Sequence, residues 1–165
     1  MKIAVLSDIH DRLDNLSLVL VEESLQSCDV LLFLGDFCAP FSLAHLAEGF
    51  TKQIHAVFGN NDGDQFLLSQ IAAKFGHVTL HGQFAEFEFD SKKIAINHYP
   101  DISKRIAEGP SFDAVFSGHD HQRYIHQFEN TIWANPGEIM GRFGNPSFGI
   151  YDTESHSFQH VILES

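Results

Sequence analysis

The sequence predicts a mixed α/β protein, and three observations carry that prediction. Short apolar runs in the first half each end abruptly in glycine or polar residues, as buried strands do. Segments with apolar residues at helical spacing separate them. The second half holds a closer succession of short strand-like runs, with little helical periodicity. At 165 residues and 44% hydrophobic content, the chain suits one domain, residues 1–165, with a core of its own.

The elements follow in order. Residues 3–6 (Ile-Ala-Val-Leu) form the first predicted strand, and Leu13, Leu16, Leu20 and Val21 recur at helical spacing, which predicts a helix over 12–25. A second strand at 30–34 closes with Gly35-Asp36, a short helix covers 40–48, and a third strand at 54–58 closes with Gly59-Asn60. Phe66, Leu67, Gln70, Ile71 and Lys74 give a further helix, with Gly76 as its stop. Strand-helix-strand-helix-strand predicts a parallel sheet with crossover helices, whose chemistry collects beyond the carboxyl ends of the strands. Later strands are read at 78–80, 84–89, 94–96, 114–116, 124–128, 131–134, 148–151 and 158–163, with one helix at 103–108. Over 85–89 apolar and acidic residues alternate, as on a half-exposed strand. Residues 141–146 read as a surface loop.

Composition excludes several function classes. A formal net charge of -12 with no basic cluster disfavours general nucleic-acid binding, although bound divalent cations can reverse the local sign for a small phosphate substrate. The apolar N-terminal run is too short for a signal-peptide core or a membrane span. Cys28 and Cys38 form no Cys-x-x-Cys pair, so they read as reduced thiols of a cytoplasmic protein.

The chemistry-bearing residues sit just after predicted strands. Asp8-x-His10 can turn a carboxylate and an imidazole to one borderline divalent ion, although Asp8 could equally cap the next helix. Gly35-Asp36 and Gly59-Asn60-Asn61-Asp62 would pass for ordinary turns if they stood alone. Asp62-Gly63-Asp64 lacks the remaining ligands of a calcium loop. Gly118-His119-Asp120-His121 is the strongest single signal: two histidines flank one residue directly after a buried run. His98 likewise follows the strand at 94–96. Five strand ends thus carry candidate ligands in the order Asp-x-His, Gly-Asp, Gly-Asn, His, Gly-His-x-His. His45, His55, His77, His81, His126, His156 and His160 lie outside that order and are read as ordinary histidines.

That ordered set resembles the calcineurin-like metallophosphoesterase superfamily, and more narrowly its short bacterial and archaeal phosphodiesterase branch. The likeness runs through Asn135-Pro136-Gly137, Arg142 and Pro146 to the strand at 148–151. It implies a two-sheet β-sandwich flanked by helices, the αββα arrangement. It also implies two divalent ions, Mn first, with Fe, Zn, Co or Ni compatible with the same mixed donors. By the resemblance, Asp8, His10 and His121 hold one ion, Asn60, His98 and His119 the other, and Asp36 bridges them. Asp36, Asn60, His98 and His119 would serve the reaction directly, an in-line attack by metal-activated water on a phosphate ester.

The chain departs from the family at a few positions. Asn61 stands where many phosphatases of the superfamily carry His, which leaves the general acid unassigned and matches the diesterase branch. Tyr99-Pro100 follows His98 where relatives often have Gly, and Glu138 follows Asn-Pro-Gly where Ser is common. Asn61, Asp62, Tyr99 and Arg142, with Phe37 and Cys38, are candidates for the pocket border. Expected partners are a small phosphate ester and, since many relatives dimerise, a second copy of the chain; neither nucleic acid nor membrane is expected. Two alternatives remain at this stage: a phosphomonoesterase or nucleotidase, and a non-catalytic scaffold of the same fold, as in a retromer coat subunit. The complete ligand set favours an enzyme.

Overall fold

The computed structural model describes residues 1–164. The first sheet is built on β1 (Lys2–Leu6), β2 (Val30–Phe33), β3 (Gln53–Ala56) and β4 (Val78–Leu80), all parallel, as the crossover pattern predicts. Helices α1 (Leu13–Leu20), α3 (Pro40–Gly49) and α4 (Gln65–Ala72) connect them. The predicted helix over 12–25 is broken in two, with α2 at Glu23–Gln26. Glu22 is extended between them, and the Gln26 amide donates to the Leu20 carbonyl, satisfying an acceptor that the end of α1 leaves open.

The second sheet has the order β5 (Phe84–Phe89), β6 (Lys92–Asn97), β7 (Ala114–Phe116), β9 (Thr131–Pro136), β8 (Arg123–Phe128), with β6, β7 and β9 parallel. Helix α5 (Pro100–Ala107) links β6 to β7 and begins earlier than its periodicity predicts, because Pro100 is already suited to the first helical turn. The chain then returns to the first sheet, where β10 (Ser147–Asp152) pairs antiparallel with β1 and β11 (Ser157–Ile162) forms the edge.

Strand alternation explains the layering. Ala4, Leu6, Leu31, Phe33 and Ile54 pack outward against Leu16, Val19, Leu43, Leu46 and Leu68 of the helices. Their neighbours Ile3, Val5, Val30 and Leu32 face the other way and meet Ile94, Ile96, Phe116 and Ile132 of the second sheet. Ala95, Val115 and Trp133 turn their own outer face to Ala107 of α5. Both faces of each central strand are buried, so these strands read as continuous apolar runs. The result is the helix-sheet-sheet-helix sandwich expected from the sequence resemblance. Among the described residues, no helix is long and apolar enough to cross a membrane.

Candidate metal centre

Five strands from the two sheets deliver their carboxyl ends to one edge of the sandwich: β1 to Asp8 and His10, β2 to Asp36, β3 to Asn60, β6 to His98, and β7 to His119 and His121. The loops are laced together by backbone hydrogen bonds. Asp8 N donates to Gly35 O, Ile9 N to Asp36 O, and Gly118 N to His98 O. A methyl group at Gly59 would overlap the Asp36 carboxylate, and one at Gly118 would overlap Ser7 and Asp8, so the motif glycines serve close approach of backbone to the site.

The seven candidate ligands converge. His10 Nε2 lies 3.6 Å from Asp8 Oδ1 and 3.4 Å from Asp36 Oδ2, and His121 Nε2 lies 3.4 Å from Asp8 Oδ1. On the other side, His98 Nε2 is 3.4 Å from the same Asp36 Oδ2, 3.1 Å from Asn60 Oδ1 and 3.2 Å from His119 Nδ1. Asp36 Oδ2 is therefore equidistant from an imidazole of each set. Asp8, Asp36 and His98 form a buried floor, whereas Asn60 and His119 stand exposed at the mouth. Asp8 does not cap the following helix: its Oδ2 accepts from His119 N, and α1 starts without a side-chain cap.

Asp8, His10, Asp36, His119 and His121 all adopt positive φ, between 45° and 72°. Non-glycine residues rarely occupy this left-handed region, and each costs about 1–3 kcal/mol that the surrounding packing must offset. Such strain concentrated on one constellation marks a functional site.

The electrostatics agree with a cation-binding role. The Asp8 carboxylate, helped by the Cys38 sulfur 3.4 Å from Nδ1, pushes the His10 imidazolium up to about 10. Burial lowers the basicity of His98, but the Asp36 and Asp8 carboxylates and the Leu34 carbonyl outweigh it and raise the group. Burial likewise opposes ionisation of Asp36, yet His98 and the two Asn61 donors hold it well below the usual carboxylate range. The carboxylates thus favour positive charge at these positions. Asp8 Oδ1 and His10 Nε2 are buried with no hydrogen-bond partner, which fits a site completed by a cation bound through mixed N and O donors.

A model of the calcineurin-like phosphoesterase superfamily domain matches residues 1–156. The chain belongs to that superfamily. It is 29% identical over 167 residues to phosphodiesterase MJ0936 of Methanocaldococcus jannaschii, covering 99% of this chain and 100% of that protein. It also matches a solved structure described as a novel archaeal phosphodiesterase, with a TM-score of 0.89 and 28% identity over 99% of this chain and 100% of that one. Vacuolar protein sorting 29 from Cryptosporidium parvum shares the fold alone, with a TM-score of 0.66 and 15% identity over 99% of this chain and 97% of that one. The chain is a metal-dependent phosphoester hydrolase of the small archaeal and bacterial branch of this superfamily, with candidate ligand groups in place for a divalent metal centre.

The candidate pocket residues take different places. Asn61 is spent on Asp36, donating from both its backbone N and its Nδ2. Tyr99 stacks edge-on to His98 and His119, with ring centroids 5.2 and 5.3 Å away. Arg142 lies over the Phe143 ring. Phe37 is fully buried against Phe33, in the core beneath the site. Asp62 is also buried; it accepts from Asp36 N, Gly59 N and Cys38 N, so it braces two ligand loops at once. Burial raises its pKa in spite of those three donors.

Three supporting residues escaped the sequence analysis. Glu138 is almost fully buried; its Oε2 pairs with His121 Nδ1 and its Oε1 accepts from Phe143 N. Such a carboxylate fixes the ring orientation of a ligating histidine. Asp11 accepts from Ala39 N and Ser42 Oγ, tying the first ligand loop to the start of α3. Asn135 donates to Gly118 O and Asp120 Oδ1, which holds the His-x-His turn. Only the Asn-Pro-Gly pattern and the unusual Glu after it gave a sequence signal, and neither names a contact.

Proposed function

We propose that residues 1–165 act as one domain that hydrolyses phosphodiesters with two divalent ions. Asp8, His10 and His121 would hold the first ion, Asn60, His98 and His119 the second, with Asp36 bridging. The observation that carries this reading is the position of Asp36 Oδ2, 3.4 Å from both His10 Nε2 and His98 Nε2. When bound, the two ions supply positive charge against the phosphoryl oxygens and acidify water toward a nucleophile. The protein's own part is placement. Asn61 orients both oxygens of Asp36, Glu138 orients His121, and the Leu34 carbonyl orients His98. The exposed side chains of Asn60 and His119 line the face that an incoming phosphoryl group meets.

Diester preference is supported by the relatives named as phosphodiesterases and by Asn61, which has no titratable proton to offer a leaving group. Mn suits the mixed nitrogen and oxygen donors and is the metal we assign. A cytoplasmic setting is part of this reading, consistent with the two free thiols.

The test compares Mn-loaded protein on bis(p-nitrophenyl) phosphate and on p-nitrophenyl phosphate. The diester should turn over faster, chelation should abolish turnover, and Mn should restore it. Asp36→Ala should lose both ions and at least about 10²-fold in rate. Wild-type rate and metal content in Asp36→Ala would refute the bridging role, and faster monoester turnover would replace the diesterase reading with a monoesterase.

A further inference from the structure

Phe143 is a large apolar side chain left 71% exposed, on a loop that borders the metal centre. Its exposure is not slack. Its backbone N–H is tied to the buried Glu138 carboxylate, and the other oxygen of that carboxylate holds His121. The ring stands edge-on to the His121 imidazole, with centroids 5.5 Å apart. The Arg142 guanidinium lies 5.3 Å from its centroid. One buried carboxylate therefore fixes both a candidate metal ligand and an exposed aromatic ring beside it.

Next to this ring, a cavity of about 240 Å³ is lined by residues that include His121, Gln122, Arg123, Glu138, Phe143 and Asn145. Arg123 Nη1 donates to the Asn145 carbonyl, which joins the two sides of the cavity. With the Arg142 guanidinium lying over it, the exposed ring offers stacking together with that cation, and the surrounding amide groups and Arg123 offer hydrogen bonds to a polar edge. A flat heterocycle with a π face and polar rim matches both, whereas an alkyl arm uses neither. The cations Arg142 and Arg123 also stand out against a net charge of -12 and suit an anionic ligand.

We propose that Phe143 is the stacking platform for a nucleobase, so that the substrate is a phosphodiester with at least one nucleoside arm. Arg142 and Arg123 flank that arm, and Glu138 keeps the platform in register with the metal centre. This inference rests on the phosphodiesterase reading above.

The experiment measures binding to the Mn-loaded full chain by titration calorimetry, with adenosine 5′-monophosphate and ribose 5-phosphate as probes. The two share the phosphate and the sugar and differ only in the base. Wild-type protein should bind the adenosine compound at least about fivefold more tightly, as one stacked base provides. Phe143→Ala should bring that ratio to near one, and Phe143→Trp should preserve it. Equal binding of both probes by wild type, or a ratio unchanged in Phe143→Ala, overturns the proposal. Hydrolysis of bis(p-nitrophenyl) phosphate by the same samples separates the two failures. Diester turnover with no base discrimination removes only the platform. No diester turnover in wild type removes the platform together with the reading beneath it.

Discussion

Replacing Asp62 with Ala removes the acceptor for three backbone N–H groups, those of Asp36, Gly59 and Cys38, at 3.0, 2.7 and 3.0 Å. The carboxylate is 5% exposed, so little water reaches those donors in its place. A buried donor left unsatisfied costs about 1–3 kcal/mol. Three would cost more than the net effect, because the substitution also relieves the desolvation that raises the Asp62 carboxyl. A net loss of about 2–5 kcal/mol is expected, within a total stability of about 5–15 kcal/mol. In urea this moves the unfolding midpoint of the metal-free protein down by about 1–2 M. Asp62→Asn is the control. Its one oxygen can serve Asp36 and Gly59 while its amide opposes only Cys38 N–H, so it should lose less than half as much. Asp36 and Cys38 both hold positive φ, and without the brace these strained residues relax, so divalent metal binding should weaken as well. Denaturation of the chelator-treated variants, paired with metal titration, checks both effects. A midpoint for Asp62→Ala within about 0.2 M of wild type would refute the brace argument.

Glu138→Gln should lower divalent metal affinity by about 10- to 100-fold, since an amide cannot both accept from His121 and accept from Phe143 N–H with its nitrogen end. Unchanged affinity in a competition titration with a chelator would remove Glu138 from the site. Metal affinity should also rise with pH. His10 is raised to about 10 and His98 is raised as well, so at neutral pH the metal displaces protons, and affinity gains up to about tenfold per pH unit for each proton displaced. The stability of the metal-free protein should show the opposite trend. Raised histidines stabilise it fully below their unfolded value, and that contribution is lost as pH rises toward about 10. Calorimetry in buffers of different ionisation heat counts the protons released; a count of zero at pH 7 contradicts the assigned shifts.

The sequence by itself determined the strand ends and what they carry. Runs such as Val30–Phe33 are buried on both faces, and their abrupt close at Gly-Asp, Gly-Asn or Gly-His is written locally, in adjacent residues. The order of candidate ligands along the chain was therefore legible, and so was the strand-helix alternation of the first, parallel sheet; the second sheet was expected only from the family resemblance. Tertiary structure alone decided what surrounds them. The break after Leu20 depends on Gln26 reaching back, Phe37 proves to be core because Phe33 lies beneath it, and Asp62 serves backbone groups 24 and 26 residues away. Glu138 reads as an odd substitution until the fold brings it to His121. The left-handed backbone of Asp8, His10, Asp36, His119 and His121 falls on Asp and His, residue types that tolerate positive φ better than most, but that tolerance is too weak to single out these positions among the chain's other Asp and His residues. Side-chain periodicity reports which face of an element is buried. It carries no information about which distant donor a buried carboxylate meets, because that pairing is set by which strands lie side by side, β2 with β3 for Asp62 and β7 with β9 for Glu138.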